Sequence, residues 1–318
     1  MTITMNKCLE ICAVLVFGGA LTAAAGQQTS REVAITIDDL PAASSTALSG
    51  DAIAALTSRL LATLAGEKVP VVGFVNEKKL FHFGDVDRRI AVLSMWLDDG
   101  FELGNHTYSH LSLNQVGPRA WEDDVVQGEN VTRLVLAQHN LKLRYFRHPY
   151  LHTGRDLQTR HMTEAFLTGR GYQVVPVTLD VWDWMYAPVY EHFKKVGQTA
   201  LQQRVLTEYL SHSDAILTHV ETLSRQTLGY EPKQILLLHV NELESDHIAD
   251  VLALLRKRGY RVVSVPDALT DPAYRLPDVY IGPEGLGWVE RWAITMGKPA
   301  GEFPQPSPWM REQYRIYR

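Results

Sequence analysis

Short apolar runs alternate with amphipathic stretches along most of this 318-residue chain. The runs have the length and composition of buried strands. They cover residues 33–38, 71–75, 101–104, 143–147, 173–179, 234–239 and 260–265. Apolar residues at helical spacing lie between several of them, as in residues 51–65 and 246–258. Because alternating strands and helices favour parallel strands with right-handed crossovers, seven such units predict a (β/α) barrel, complete or interrupted.

A short polar motif ends or follows five of these runs. The motifs are Thr36-Ile37-Asp38-Asp39, His106-Thr107-Tyr108-Ser109-His110, Arg147-His148-Pro149-Tyr150, Asp180-Val181-Trp182-Asp183-Trp184 and Leu237-Leu238-His239. The active site of a (β/α) barrel lies at the C-terminal ends of its strands, whereas an open sheet collects its ligands at one switch point. Five contributing strand ends therefore favour a barrel and predict one site at its mouth.

The barrel is predicted to occupy residues 33–270. Residues 185–230 form a longer connection with helical patterns at 199–210 and 213–223. The tail, residues 271–318, is rich in proline, glycine and tryptophan. We expect it to be an irregular extension packed on the barrel and not a second domain.

The N-terminus has the pattern of a secretory signal. Lys7 precedes an apolar run at residues 11–17, and small residues follow through Ala25, which is typical of a cleaved signal peptide over residues 1–25. A polar linker at 26–32 follows. The apolar run is shorter than the ~20 residues that a membrane span requires. We therefore expect an exported protein, periplasmic or secreted, with no stable membrane span after cleavage.

Composition narrows the chemistry and the partners. Both cysteines, Cys8 and Cys12, fall inside the predicted signal peptide, so the processed chain would have no disulfide and no thiol metal ligand. The formal net charge is −5 and no long basic run is present. This charge argues against a nucleic-acid partner.

His106 and His110 are four residues apart, the spacing that places two side chains on one face of a helical turn. Two histidines and one carboxylate form a common catalytic zinc set that leaves one position open. The same spacing also fits histidines at a helix start that bond only to the backbone. The pair is therefore a candidate metal site that needs a carboxylate to complete it.

Asp38 and Asp39 supply two carboxylates at the end of an apolar strand. Adjacent carboxylates repel each other, and a divalent cation would compensate them. Because side chains alternate along a strand, the two carboxylates can have different tasks, one as a ligand and one as a proton acceptor. The alternative is that the pair caps the next helix. With the two histidines, the pair favours a metal site with a base beside it.

Hydrolysis of an amide or ester also requires an acid for the leaving group. His239 ends an apolar strand and would lie at the barrel mouth, where Asp183 would orient its imidazole and favour the charged form. Arg147 would be costly to bury unpaired, so we expect an ion pair with Asp38. The backbone N–H of Tyr150 could face a developing oxyanion.

The five motifs, in this order, resemble those of the polysaccharide deacetylases, carbohydrate esterase family 4 with its NodB-homology domain. The resemblance runs from about residue 33 to about residue 269. It implies a distorted (β/α)7 barrel and a metal-dependent hydrolase of carbon–nitrogen bonds other than peptide bonds. The implied substrate is an N- or O-acetylated glycan, chitin-like or peptidoglycan.

The resemblance also implies roles for single residues. Asp38 would be the general base, oriented by Arg147, and Asp39, His106 and His110 would hold the metal. The ligand set suits Zn²⁺, and Co²⁺, Ni²⁺ or Mn²⁺ would also be accepted.

On the opposite side of the site, His239 would be the general acid and Asp183 would tune it. Tyr150 would bind the oxyanion through its backbone. Trp184 and Leu237 would line the acetyl pocket.

Three residues depart from the family pattern. Leu40 stands where glycine usually ends the first motif, and we expect a different loop or a narrower cleft there because leucine disfavours positive φ. His148 stands where proline is common, and Leu151 where glycine often follows the tyrosine. All three are expected to border the substrate groove.

Two alternatives stay open at this stage. Fold does not fix substrate, so a hydrolase of small amides or cyclic imides on the same fold is the first. The second is an inactive carbohydrate-binding relative, which would be expected to lack Asp38 or His239; both are present.

Overall fold

The computed structural model describes residues 31–44 and 46–318. The predicted signal peptide and residues 26–30 of the predicted linker lie outside the described residues. Arg31 and Glu32, assigned to the linker from sequence, instead begin the first strand, since they pair with Tyr260 and Arg261.

Eight parallel strands form one sheet. They are β1 (Arg31–Leu40), β2 (Val71–Val75), β3 (Glu102–Asn105), β4 (Tyr145–Phe146), β5 (Gln173–Val174), β6 (Leu179–Asp180), β7 (Gln234–His239) and β8 (Tyr260–Val263). The strand order is β5-β4-β3-β2-β1-β7-β6, and β8 pairs with the first residues of β1. Seven strands therefore follow one curved path that is open between β5 and β6, which confirms the predicted distorted (β/α)7 barrel.

Helices cover the sheet and connect its strands. They are α1 (Gly50–Gly66), α2 (Val86–Asp98), α3 (Pro118–Gln127), α4 (Asn130–Gln138), α5 (Leu157–Gly169), α6 (Asp183–Lys195), α7 (Thr199–Leu228), α8 (Glu242–Lys257), α9 (Val265–Ala268), α10 (Trp288–Thr295) and α11 (Pro308–Tyr317). Short 3-10 helices lie at Glu77–Leu80, Pro149–Leu151 and Pro272–Arg275. Among the described residues, no helix combines the length and apolarity needed to cross a bilayer.

Strand β1 lies at the centre of the sheet and positions the site. Val33, Ile35 and Ile37 face the large core that the sheet shares with the surrounding helices. Because side chains alternate along a strand, Thr36 and Asp38 face the barrel interior. Asp38 pairs in register with His239 of β7, so the ends of these two strands meet at the barrel mouth.

Two predicted elements differ from those observed. The predicted strand at 173–179 is interrupted between β5 and β6, where Pro176 lacks the N–H that a ladder requires. The two helical patterns at 199–210 and 213–223 form the single helix α7. Ser213 does not break it, because its hydroxyl donates to the carbonyl of Tyr209 one turn earlier (2.8 Å).

The C-terminal extension (residues 271–318) is less irregular than its composition predicts. It contains α10 and α11, and these pack on α7 and α6 respectively. Helix α11 begins with two start signals: the Ser307 side chain accepts from the Met310 N–H, and Pro308 occupies the first turn. These local signals explain the helix that composition alone did not predict.

Candidate active site

Asp38 lies near the end of β1, is 2% exposed, and accepts through both carboxylate oxygens from one nitrogen of Arg147. Arg147 Nη1 donates to both carboxylate oxygens (3.3 and 3.2 Å), while its Nη2 donates to Thr36 Oγ1 (2.9 Å). Its Nε donates to the Val175 carbonyl (2.8 Å). The predicted ion pair is therefore present, and every guanidinium nitrogen has a partner that fixes its plane.

Asp39 follows in the left-handed region with φ of 72°, which turns its carboxylate toward the loop after β3. Its Oδ1 is buried and accepts no hydrogen bond, although the Lys79 ammonium lies 3.2 Å away. A buried carboxylate oxygen without a hydrogen-bond donor is costly unless a cation compensates it.

The two histidines of the second motif lie in a loop and not on the predicted helical turn. Thr107 and His110 both have positive φ (64° and 60°), so the segment bends instead of coiling. Asp124 of α3 holds the bend by accepting from the Ser109 N–H (3.0 Å) and hydroxyl (2.7 Å). The imidazoles still converge, with ring centroids 4.8 Å apart.

Asp39, His106 and His110 form the cluster that the sequence predicts as a metal site. One ligand atom from each residue lies within 4.8 Å of the other two. His106 Nδ1 bonds to the Arg147 carbonyl (2.8 Å), which leaves Nε2 toward Asp39 Oδ1 (4.0 Å). His110 Nε2 lies 3.7 Å from the same oxygen. The two nitrogens, the unbonded oxygen and the fixed tautomer fit a divalent cation.

Electrostatics separate the two aspartates. Burial raises the pKa of Asp38 to about 6, against the opposing effect of Arg147. Burial would also raise the pKa of Asp39, but Lys79 and the neighbouring histidines lower it below its ordinary value. Burial lowers the pKa of His106 and of His110, which keeps both imidazoles neutral, as metal ligands must be.

His239 ends β7 on the opposite side of the mouth and contacts Asp183, as predicted from the sequence. Asp183 Oδ1 lies 2.8 Å from His239 Nδ1, and Oδ2 accepts from the His239 backbone N–H and from Asn241 Nδ2, each at 2.8 Å. Burial lowers the pKa of His239, but Asp183 outweighs it and raises that pKa to about 10. The imidazole is therefore held in its charged form with one orientation.

The remaining predicted residues lie in different surroundings. Tyr150 adopts φ of 57° and its ring meets His110 edge-on (4.4 Å between centroids). Leu237 is buried beneath the mouth in an apolar cluster with Leu151 and Val177. The Trp184 ring is 37% exposed and contacts the rings of Trp182 and Tyr314, the second of which belongs to α11.

Of the three departures from the family pattern, two do not border a cleft. Leu40 is fully buried against Gly73, and the residue with positive φ in this turn is Asp39. His148 is buried and stacks on Trp121. Leu151 is the exception, since it packs against Leu237.

Lys79, Asn241 and Asp124 are site-supporting residues that the sequence reasoning missed. Each lies outside the five motifs: Lys79 in the 3-10 helix after β2, Asp124 in α3, and Asn241 two residues past His239. Asn241 had a detectable signal, because a polar residue directly before Glu242-Leu243-Glu244 is a helix N-cap. The other two depend on tertiary contacts alone.

The family model of polysaccharide deacetylases matches residues 25–164. The match includes the first three motifs, and the predicted resemblance is confirmed. No curated protein matches the sequence. The family match supports a hydrolase of the deacetylase class.

Solved structures show the same fold. A CE4 family pseudoenzyme from Bacillus anthracis shares 17% identity with a TM-score of 0.50, over 76% of this chain and 66% of that chain. A mutant of that pseudoenzyme with restored enzymatic activity shares 19% identity with a TM-score of 0.50, over 76% of this chain and 68% of the other. The present chain thus spans about two thirds of these proteins, and the likeness establishes the barrel.

Proposed function

We propose that this chain, whose residues 25–164 match the family model of polysaccharide deacetylases, is a metal-dependent hydrolase that removes acetyl groups from an envelope or extracellular glycan. One observation carries the proposal: a histidine–aspartate cluster, a buried aspartate on an arginine, and a histidine on an aspartate meet at one barrel mouth. These are the groups that hydrolysis of an acetyl amide or ester requires.

Asp39, His106 and His110 would hold the cation. When bound, a divalent cation lowers the pKa of water and polarises a carbonyl oxygen. Zinc suits two imidazoles and one carboxylate, and Co²⁺, Ni²⁺ and Mn²⁺ are accepted by similar ligands.

Asp38 would accept the proton of the attacking water. Arg147 holds its carboxylate plane, and Asp38 Oδ2 lies 3.5 Å from His106 Nε2, so the base lies directly beside the metal cluster. A base must be close to the proton it takes, and the position of Asp38 beside the cluster supports this role.

His239 would donate a proton from Nε2 to the departing nitrogen or oxygen. Its Nδ1 is committed to Asp183, so Nε2 is the only ring nitrogen left for the leaving group. The charged imidazole already carries the proton that the leaving group would take.

The acetyl group would be held by backbone and apolar contacts. The Tyr150 N–H would bind the developing oxyanion, and Leu237 and Trp184 would contact the methyl group. We propose an N- or O-acetylated glycan, chitin-like or peptidoglycan, as substrate, met after export to the periplasm or the medium.

The test is acetate release from chitin oligomers, peptidoglycan, acetylxylan and small amides, before and after chelation and with each metal added back. We expect release from at least one glycan, loss on chelation and recovery with Zn²⁺. Release of acetate from small amides alone would instead support the first alternative, a hydrolase of small amides or cyclic imides. A metal-free protein that binds a glycan yet releases nothing would identify an inactive relative.

A further inference from the structure

Trp288, the first residue of α10, lies against the apolar cluster beneath the barrel mouth. Its partly exposed ring packs on the cluster of Leu151, Val177 and Leu237. Its backbone N–H donates to the Val177 carbonyl (2.7 Å) in the gap between β5 and β6. The C-terminal extension thus reaches the interior side of the open barrel.

The cluster that Trp288 covers adjoins the catalytic groups. Leu237 precedes His239 by two residues on β7, so both side chains lie on the same inner face of the strand. Leu151 directly follows Tyr150. An acyl group placed between His239 and Tyr150 would therefore extend toward this cluster.

Arg291 fixes the orientation of the Trp288 indole. Its guanidinium carbon lies 4.1 Å from the centre of the indole ring. Arg291 is itself buried, donates from Nη2 to Thr153 Oγ1 (2.7 Å) and pairs with Asp278 (2.5 Å). A buried, paired arginine stacked on an indole is a strong positional restraint.

Gly285 brings the same segment against the proposed oxyanion loop. A Cβ atom at this position would lie 1.7 Å from the Tyr150 carbonyl oxygen, a contact that no side chain tolerates. The close approach of these two backbones requires glycine. Residues 285–291 are therefore fitted to the rim of the site.

We propose that Trp288 is a specificity-determining wall of the acyl pocket, supplied by the C-terminal extension, and that it restricts the pocket to short acyl groups. This inference rests on the proposed function. An indole packed on three aliphatic side chains leaves little apolar depth beside Leu237, so an added methylene would meet the ring.

The test compares hydrolysis of N-acetyl and N-butyryl chito-oligosaccharides by wild type, Trp288→Ala and Trp288→Phe. We expect Trp288→Ala to raise the butyryl-to-acetyl ratio of kcat/KM by about 10-fold or more, since pocket methylenes discriminate on that scale. Trp288→Phe is expected to lie between. An unchanged ratio in a folded Trp288→Ala protein would overturn the inference.

Trp309→Ala is the matched control, because Trp309 belongs to the same extension but lies over Arg204 (3.7 Å) and beside Phe193. It removes an indole from the extension without touching the cluster, and we expect an unchanged ratio. A ratio that rose equally in Trp309→Ala would show loosening of the extension and not a pocket wall.

A second measurement separates this inference from the proposed function. In protein labelled with 5-fluorotryptophan, the Trp288 fluorine signal is the one missing from Trp288→Phe. Titration with sodium acetate should shift that signal and leave the Trp309 signal in place. If the Trp288 signal shifts in a protein that releases no acyl group, the proposed function is rejected but the acyl pocket beside Trp288 is supported. If the signal does not shift in an active protein, the assignment of Trp288 to the pocket is rejected.

Discussion

The two sides of the barrel mouth are built differently. On the proposed metal side, His106 Nε2 and His110 Nε2 lie 4.0 and 3.7 Å from Asp39 Oδ1, an oxygen that accepts no hydrogen bond. On the acid side, Asp183 accepts three contacts of 2.8 Å, two from His239 and one from Asn241. The Lys79 ammonium compensates the Asp39 oxygen without a hydrogen bond (3.2 Å), whereas both Asp183 oxygens are hydrogen-bonded.

The backbone is bent on both sides. Asp39 and His110 have positive φ on one side, and Trp182, directly before Asp183, has positive φ (58°) on the other, a conformation that costs free energy in residues other than glycine. His239 nevertheless lies at the end of a regular strand, and Asn241 begins a capped helix. The two sides therefore differ in the hydrogen bonds of their aspartates and not in backbone strain. Four experiments test this difference, beginning with the largest expected effect.

His106→Ala should lose both the metal and turnover. Loss of an outer-shell partner lowers metal affinity by about 10–100-fold, and loss of a direct ligand should lower it further. Metal content after dialysis, measured by mass spectrometry, checks this. His139→Ala is the control, since His139 bonds to Asp98 far from the site and should retain the metal. Full metal content in His106→Ala would contradict the proposed ligand set.

Asp38→Asn should lower turnover by about 10²–10⁴-fold, the usual range for a general base, while the metal content stays at the wild-type level. The amide keeps a hydrogen-bond acceptor toward Arg147 but cannot take a proton. Acetate release and metal content, measured on the same preparation, separate the two effects. Wild-type acetate release would show that the base is another residue.

Asp183→Asn should lower turnover by about 10–10²-fold and leave the metal in place. The reason is that His239 remains but loses the carboxylate that orients its imidazole. Loss of the carboxylate lowers the pKa of His239, so the alkaline limb of the rate profile should move to lower pH. A rate–pH profile with the limb unmoved would contradict the role of Asp183.

Glu244→Gln should change stability and its pH dependence more than activity. Glu244 is buried behind the acid side, where Tyr209 donates to its Oε1 (2.5 Å), and burial raises its pKa to about 8. The folded protein therefore keeps a proton that the unfolded chain loses above its pKa of 4.5. Stability should fall as pH rises between these values, by at most about 1.4 kcal/mol per pH unit.

The glutamine variant should remove that part of the slope, as measured by urea unfolding at several pH values. Glu67→Gln is the control, because Glu67 lies on the surface beside Arg256. A slope that is the same in wild type and Glu244→Gln would show that Glu244 is ionised in the folded protein.

Much of the site was predictable because each motif is local to one strand end. Asp38, Arg147 and His239 required only strand periodicity and barrel geometry, and the predicted contacts Asp38–Arg147 and Asp183–His239 are both present. The two histidines converge, but they do so in a loop and not on the predicted helical turn. A four-residue spacing predicts a helix, but Asp124, distant in sequence, holds a bend instead.

Other features depend on contacts that no local pattern encodes. The sequence predicts a different loop or a narrower cleft at Leu40, but Leu40 is buried beside Gly73 and the positive φ lies at Asp39. Trp288 lies in the tail that composition predicts to be an irregular extension packed on the barrel. Its approach to Leu237 depends on the gap between β5 and β6, which the continuous apolar run at 173–179 concealed.

That gap also leaves two free strand edges. Unpaired edges can recruit strands from other molecules and lead to aggregation. The Trp288 N–H donates to the Val177 carbonyl between these two strands (2.7 Å), so one main-chain acceptor in the gap is already paired. We expect a chain in which the extension has not yet docked to expose this acceptor and to be more prone to self-association while it folds.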